Sequence, residues 1–141
     1  MKYLLDTNVV SELRKPRPHG AVLAWRCSVQ LHQIAIPAIV LAEAQTGIEL
    51  TRKQYPEKAA ELELWVDHLQ SHYTILPADA AIFREWARLM LGHSSDLTAE
   101  AMIAATALIL GLTVVTRNTR DFHIFQVPVF NPFHFKPEEA S

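Results

Sequence analysis

The sequence predicts an α/β fold with a central parallel sheet of about five strands. Short apolar segments alternate along the chain with longer segments that have the apolar spacing of helices. Each short segment is apolar at consecutive positions, which is typical of a strand buried on both faces of a parallel sheet. We therefore expect helices on both sides of the sheet. Because ligands bind such sheets beyond the carboxyl ends of the strands, residues that follow a strand are the first candidates for a site.

Five short apolar segments are predicted to be strands. The first ends directly before Asp6. The last contains Pro128, which is typical of an edge strand because proline cannot donate a ladder hydrogen bond. The predicted strands, in chain order, are residues 2–5, 34–37, 73–76, 112–115 and 127–130.

Six segments have the spacing of amphipathic helices. Asn8 or Thr7 is expected to cap the first of them, and Thr98 is expected to cap the last. In the fourth, Leu64 and Trp65 are expected on the buried side. The predicted helices cover residues 9–14, 20–29, 38–52, 56–70, 79–91 and 99–110.

Length and composition bound the class of protein. The chain has 141 residues, and we expect a single domain over residues 1–141. Cys27 is its one cysteine, which excludes an internal disulfide and a paired-cysteine zinc site and fits a reducing cytoplasm. The apolar run at the start is too short for a signal peptide, and no segment has the ~18 apolar residues of a membrane span. We therefore expect a cytoplasmic protein without a membrane segment. The formal net charge of −2 gives no overall attraction to nucleic acid.

Four acidic residues lie near the carboxyl ends of the predicted strands. Asp6 closes the first strand, and Glu43 lies in the helix after the second. Glu100 is in the first turn of the alanine-rich helix, and Asp121 is in the loop after the fourth strand. Carboxylates that converge repel one another, and their pKa values rise unless a cation neutralises them. A hard divalent cation, Mg²⁺ or Mn²⁺, is the expected cofactor, and such an ion can activate water toward a phosphodiester.

Each acid has a second explanation. Taken singly, an Asp or Glu is commonly a solvated surface charge or an acid favoured at the start of a helix by the helix dipole. Asp6 fits that explanation less well, because it follows an apolar strand and precedes the polar pair Thr7 and Asn8. The residue pattern alone leaves both explanations open.

The segments around these acids resemble, in order and spacing, the motifs of the PIN domain, and most closely those of VapC and FitB-like toxins. One such motif is weak evidence, but four in order are specific. The four segments are LDTNVVSELR at residues 5–14, AEAQTG at 42–47, EAMIAATA at 100–107 and TRNTRDF at 116–122.

The resemblance implies a PIN-like α/β/α sandwich and an Mg²⁺- or Mn²⁺-dependent endoribonuclease that hydrolyses RNA phosphodiester bonds, with tRNA among the candidate substrates. It also implies the toxin of a type II toxin–antitoxin pair, whose antitoxin blocks the site. The metal-binding and catalytic positions it implies are Asp6, Glu43, Glu100 and Asp121. The supporting polar positions it implies are Asn8, Thr116 and Asn118.

Five basic residues lie beside these acids in the sequence. RNA phosphates need positive charge close to the cleft, so these residues are the candidates for RNA binding. Taken singly, each is better explained as a solvated loop charge, but as a set they flank two of the acids. The five residues are Arg14, Lys15, Arg17, Arg117 and Arg120.

Glu100 departs from the family pattern, in which the third acid is usually Asp. The extra methylene moves the carboxylate, so the sequence also allows a non-catalytic or impaired PIN module that binds RNA or a protein partner. Asp96, one turn earlier, is an alternative third acid. A nuclease that acts on DNA is also possible, because no motif in the sequence recognises the 2′-hydroxyl that distinguishes RNA from DNA. A phosphoryl-accepting regulator that uses Asp6 is disfavoured, since no lysine follows a strand.

Two surfaces are candidates for partner binding. The apolar helical faces in residues 38–70 are candidates for a homodimer interface or for antitoxin contact. The aromatic C-terminal segment, residues 130–135, is expected either to fold back on the domain or to offer surface to a partner.

Overall fold

The computed structural model describes residues 1–137 and contains one five-stranded sheet. The strands are β1 (Tyr3–Leu5), β2 (Ile34–Pro37), β3 (Thr74–Leu76), β4 (Thr113–Val115) and β5 (Val129–Phe130). They lie in the order β3-β2-β1-β4-β5, and every neighbouring pair is parallel. The predicted α/β fold with a parallel sheet of five strands is confirmed, and β5 lies at an edge as predicted.

Helices fill the connections between the strands. They are α1 (Thr7–Arg14), α2 (Gly20–Ser28), α3 (Ala38–Arg52), α4 (Pro56–His72), α5 (Ala80–Met90), α6 (Thr98–Leu110) and α7 (Thr119–His123). Short 3₁₀ turns cover Leu31–Gln33, Ser95–Leu97 and Pro132–His134. The last of these packs against α2, so the aromatic C-terminal segment folds back on the domain.

Three helix starts differ from the prediction, and the smallest difference is at α5, which begins at Ala80 with Asp79 as its cap. The cap of α1 is Asp6 itself, whose side chain accepts a hydrogen bond from the Thr7 backbone N–H, so the helix begins two residues earlier than predicted. Thr98 is the first residue of α6 rather than its cap, and its hydroxyl donates to the Ser95 carbonyl at 2.6 Å. Helix α6 follows the 3₁₀ turn Ser95–Leu97, whereas α1 follows extended backbone at Asp6, and the apolar periodicity revealed neither start.

The core lies around β1, the central strand. Leu4 and Leu5 are fully buried, and Val114 on β4 and Ile34 on β2 are equally buried beside them. Helix α6 is buried along most of its length and packs with α5, while α3 packs with α4. On α4 the buried residues are Ala59, Val66 and Leu69, and the predicted core residue Leu64 is 71% exposed.

The sheet brings the site residues to one edge. Strands β1 and β4 are neighbours in register, with Leu5 opposite Val115, so Asp6 and Thr116 leave the sheet side by side. The Asp6 backbone N–H donates to the Val115 carbonyl at 3.0 Å, which extends the ladder by one residue. Within residues 1–137, no helix is long and apolar enough to cross a membrane.

Candidate active site

Asp6 is the most strongly anchored acid of the sheet edge. Its Oδ1 accepts the Thr7 backbone N–H at 2.7 Å. Its Oδ2 accepts the Thr116 hydroxyl at 2.8 Å and the Asn8 side-chain amide at 3.1 Å. The carboxylate is therefore fixed from the residue after β4 and from the first turn of α1, with only 7% of the residue exposed.

The surroundings of Asp6 act on its pKa in both directions. Burial raises the pKa of Asp6, because the charged form loses its hydration. The hydrogen bonds from Thr116 and Thr7 lower it, and the negative charges of Glu43 and Glu100 raise it again. The net pKa is higher than that of an ordinary aspartate. A bound cation would reverse this by stabilising the charged form.

Glu43 reaches the same site from α3. It is exposed to solvent, and its Oε1 accepts the Thr7 hydroxyl at 2.7 Å. Thr7 therefore connects the two acids, because its backbone N–H binds Asp6 and its side chain binds Glu43. The sequence interpretation considered Thr7 only as a helix cap. Its position directly after the strand-end aspartate was the signal that could have indicated this second role.

Glu100 approaches from the first turn of α6. Its Oε2 is fully buried, and within residues 1–137 it has no hydrogen-bond partner. A buried carboxylate oxygen without a partner is unfavourable, since it has lost its water without gaining a donor. Because Glu100 also lines a cavity with two other carboxylates, a cation bound there could satisfy this oxygen.

The three acids line one cavity of about 230 Å³. The lining includes carboxylate, hydroxyl and amide oxygens, which are the ligands that a hard cation prefers. The lining residues are Asp6, Thr7, Asn8, Glu43, Ala99, Glu100, Ile103 and Asn118. Within residues 1–137, no group of three or more acidic, histidine or cysteine side chains is arranged closely enough to hold a metal ion directly. Mg²⁺ commonly binds through one or two carboxylates and keeps several waters, so the three carboxylates and the unsatisfied Glu100 oxygen fit such an ion.

The three supporting polar residues form one hydrogen-bonded group. The Thr116 hydroxyl, which donates to Asp6, accepts the Asn118 backbone N–H at 3.0 Å and the Asn8 amide at 3.3 Å. The Asn8 carbonyl oxygen accepts the Arg117 backbone N–H at 3.1 Å. Asn8 and Thr116 thus hold Asp6 directly, whereas Asn118 acts on it through Thr116.

Asp121 is placed differently from the other three acids. It lies in the short helix α7, not in a loop as predicted, because residues Thr119–His123 close a helical turn after β4. Its side chain is exposed, and it does not line the cavity of Asp6, Glu43 and Glu100. Asp96, the alternative third acid, is likewise exposed and outside that lining.

The five basic residues are exposed and lie in different surroundings. Arg14 extends over the Trp65 ring, with its guanidinium carbon 5.4 Å from the ring centroid, and lines a second cavity. Lys15 pairs with Glu12 at 3.1 Å. Arg117 follows Thr116 directly and lies over the Phe133 ring. Of the five, Arg117 has the most direct connection to Asp6, through Asn8.

The order and spacing of these residues match a known family. The PIN domain pattern matches residues 3–126, which contain every acid of the site. The chain belongs to the PIN domain family. The PIN-like interpretation of the four motifs is therefore confirmed.

Several proteins are similar to this PIN domain over nearly their whole length. Toxin FitB of Neisseria gonorrhoeae is 37% identical over 136 residues, which cover 93% of this chain and 98% of FitB. VapC ribonuclease Y4jK of Sinorhizobium fredii is 33% identical over 138 residues, or 92% of this chain and 96% of that protein. The solved structure of FitAB bound to an IR36 DNA fragment contains a chain with a TM-score of 0.81 and 32% identity, covering 97% of this chain and 99% of that one.

Proposed function

We propose that this PIN domain is a metal-dependent endoribonuclease and the toxin of a type II toxin–antitoxin pair. The observation that carries the proposal is the cavity at the carboxyl edge of the sheet, where Asp6, Glu43 and Glu100 meet and one Glu100 oxygen is buried without a partner. The similarity to a toxin and to a ribonuclease over more than nine-tenths of each chain supports the same activity.

In this proposal the three cavity acids hold Mg²⁺ or Mn²⁺. When bound, the ion supplies a Lewis acid that lowers the pKa of water and stabilises charge on the phosphodiester. Asp6 is kept in place by the Thr7 amide, Thr116 and Asn8, so little reorganisation is needed when the ion enters. Thr7 orients Glu43 in the same way. Asp121, which is exposed on α7, is proposed to act from outside the cavity.

RNA is proposed to approach the cavity edge with its phosphates. The net charge of −2 supplies no general attraction, so individual basic residues must contact the backbone. Arg117 lies between Thr116 and Asn118 and Arg120 follows two residues later, so these two are the best placed of the five candidates. Arg14 ends α1 and Lys15 and Arg17 follow it, and Lys15 already pairs with Glu12.

The proposed partners are an antitoxin and a second copy of the chain, in a reducing cytoplasm that suits a protein with one cysteine. FitB, which is similar along its whole length, is a toxin by name, and the similar solved structure is of FitAB. Leu50 on α3 and Leu64 on α4 are 61% and 71% exposed, so the helices predicted to bind partners do offer apolar side chains. Light scattering of the purified chain, alone and with its co-expressed antitoxin, tests both assemblies.

The activity is tested with a pool of structured and single-stranded RNAs and the purified chain without antitoxin. Cleavage is expected with Mg²⁺ or Mn²⁺, and it is expected to disappear in EDTA and in the Asp6→Asn variant. Asp67→Asn is the matched control, because Asp67 is an exposed aspartate on α4 that does not line the cavity. Cleavage that survives EDTA or Asp6→Asn contradicts the proposed site.

The second candidate is a PIN module that binds RNA or protein without cutting, and Glu100 in the position usually held by Asp is the feature that favours it. Glu100→Asp separates the two candidates. An inactive wild type that gains metal-dependent cleavage through Glu100→Asp would identify the longer side chain as the cause of the impaired activity. The same pool with DNA in place of RNA tests the DNA-directed alternative.

A further inference from the structure

The aromatic C-terminal segment contacts the side chain of Arg117, a basic residue whose backbone is hydrogen-bonded to Asn8 of the candidate site. Phe133 lies in the 3₁₀ turn Pro132–His134, and its backbone N–H donates to the Asn131 side chain at 2.9 Å. The guanidinium carbon of Arg117 is 4.6 Å from the centroid of the Phe133 ring. Residues 117 and 133 come from different loops, so this contact exists only because the end of the chain folds back.

The Phe133 ring is supported from a second direction by His19. The two ring centroids are 5.1 Å apart, with the planes tilted by 57°. His19 is itself fixed, because its backbone N–H donates to Glu12 at 3.2 Å and its ring nitrogen accepts from the Ala21 backbone N–H at 3.2 Å. The ring that carries Arg117 is therefore part of a packed surface and not a loose side chain.

The backbone of Arg117 is fixed beside the acids. Its N–H donates to Asn8, whose amide group binds Asp6, and the preceding residue Thr116 binds Asp6 directly. The side chain is exposed and leaves this point toward Phe133. A guanidinium that stacks on an aromatic face keeps its N–H donors available at its edges, where they can bind a phosphate.

We propose that Phe133 is a positioning residue for RNA, which holds the Arg117 guanidinium at the edge of the cavity where it contacts a substrate phosphate. This inference rests on the proposed ribonuclease function. An arginine that is already ordered loses less side-chain freedom when the phosphate binds. Phe133 therefore strengthens substrate binding without touching the substrate or the reacting atoms.

The test is a double-mutant cycle between Phe133 and Arg117. Phe133→Leu removes the aromatic face and keeps apolar bulk, Phe133→Tyr keeps the face, and Arg117→Ala removes the cation. Phe133→Met replaces Phe133→Leu if the latter lowers the thermal midpoint. The readouts are KM and kcat for RNA cleavage. A third readout is the Kd of a short fluorescein-labelled single-stranded RNA, measured in EDTA over a range of KCl concentrations.

Phe133→Leu is expected to raise KM and Kd by about 2- to 10-fold with kcat nearly unchanged, which corresponds to the cost of ordering one side chain. Arg117→Ala is expected to weaken binding at least as much and to reduce the slope of log Kd against log salt by about 0.7, the value for one phosphate contact on a single strand. In the Arg117→Ala background, Phe133→Leu is expected to have no further effect, and Phe133→Tyr is expected to behave as wild type.

Equal effects of Phe133→Leu with and without Arg117 overturn the inference, since Phe133 would then act only through the fold. No effect of Phe133→Leu on Kd overturns it as well. The Kd measurement does not depend on cleavage. RNA binding without cleavage would therefore contradict the ribonuclease proposal alone, and the double-mutant cycle in Kd would still test the role of Phe133. A wild-type chain that neither binds RNA in EDTA nor cleaves it with Mg²⁺ or Mn²⁺ contradicts both proposals. If it cleaves but does not bind in EDTA, the KM values alone decide the cycle.

Discussion

The Thr116 hydroxyl donates a 2.8 Å hydrogen bond to Asp6, which lies 110 positions earlier in the chain. Both groups are buried, and they leave neighbouring parallel strands at the same edge. The same hydroxyl accepts two further hydrogen bonds, from the Asn118 backbone and the Asn8 side chain. Thr116 therefore connects the segment after β4 to Asp6, the acid after β1, and helps to fix the position of its carboxylate.

Removal of that hydroxyl is expected to disturb Asp6 in a defined direction. The Thr116 hydrogen bond lowers the pKa of Asp6, so Thr116→Val raises that pKa further and moves the acid limb of the kcat/KM profile to higher pH. The variant is also expected to lose about 1–3 kcal/mol of unfolding free energy, because a buried acceptor loses its donor. Thr116→Ser keeps the hydroxyl and is the control. An unchanged acid limb in Thr116→Val contradicts the prediction.

Glu100 is expected to couple metal binding to stability. An ion that binds only the folded chain stabilises it by about 2.7 kcal/mol at a hundredfold excess over its Kd, so Mg²⁺ is expected to raise the thermal midpoint of the wild type. Glu100→Gln removes one of the cavity charges and is expected to abolish most of that increase. Glu61→Gln, on the exposed surface of α4, should respond to Mg²⁺ as the wild type does. An equal Mg²⁺ response in Glu100→Gln would exclude Glu100 as a ligand.

Asp121 is expected to matter less than Asp6. Asp121 is exposed and does not line the cavity, so its charge acts on the site through solvent. Asp121→Asn is expected to lower kcat/KM by at most about 10-fold, whereas Asp6→Asn is expected to lower it by more than about 100-fold. Steady-state cleavage of one RNA by both variants measures the difference. Equal losses would contradict the prediction and give Asp121 a role as direct as that of Asp6.

The stability of the metal-free chain is expected to depend on pH with opposite signs at two acids. The pKa of Asp6 is raised in the folded state, so its contribution to stability falls as pH rises from the unfolded pKa through the folded one. The pKa of Glu12 is lowered, chiefly by the hydrogen bond from Lys15, so its contribution is present above its unfolded pKa and lost as pH falls through the folded one.

Urea unfolding in EDTA over a range of pH measures both effects. The stability of Asp6→Asn relative to wild type is expected to increase as pH rises, because the variant lacks the buried charge. The stability of Glu12→Gln relative to wild type is expected to decrease as pH rises. Two differences with the same sign would contradict the assignment of one of these acids.

Gly111 is expected to be required by its backbone conformation. It ends α6 with φ of +69°, a left-handed conformation that costs other residues energy, and its N–H binds the Ala107 carbonyl. A Cβ there would meet no atom within 4 Å, so Gly111→Ala is expected to lose about 1–2 kcal/mol from strain alone. Gly47, inside α3 and equally uncrowded, is the control, because Gly47→Ala is expected to gain about 0.5–1 kcal/mol. Thermal unfolding of the two variants decides the sign.

The sequence by itself determined the fold class and three members of the cavity. Consecutive apolar positions predicted parallel strands buried on both faces, and parallel strands must all end at the same edge of the sheet. Asp6, which closes β1, and Glu43, which follows β2, were therefore expected together, and the structure places them in one cavity. Glu100 was expected there on the condition that its helix starts at that edge, and the structure places Glu100, in the first turn of α6, in the same cavity.

Only the tertiary structure decided which side chains touch. Asp121 has the same motif context as the other acids, yet the helical turn of α7 leaves it exposed outside the cavity. The contact of Phe133 with Arg117 and the buried oxygen of Glu100 also have no signal in local sequence. Apolar periodicity fixes the face on which a residue lies. The last few ångströms between side chains depend on how distant elements pack, which no local pattern encodes.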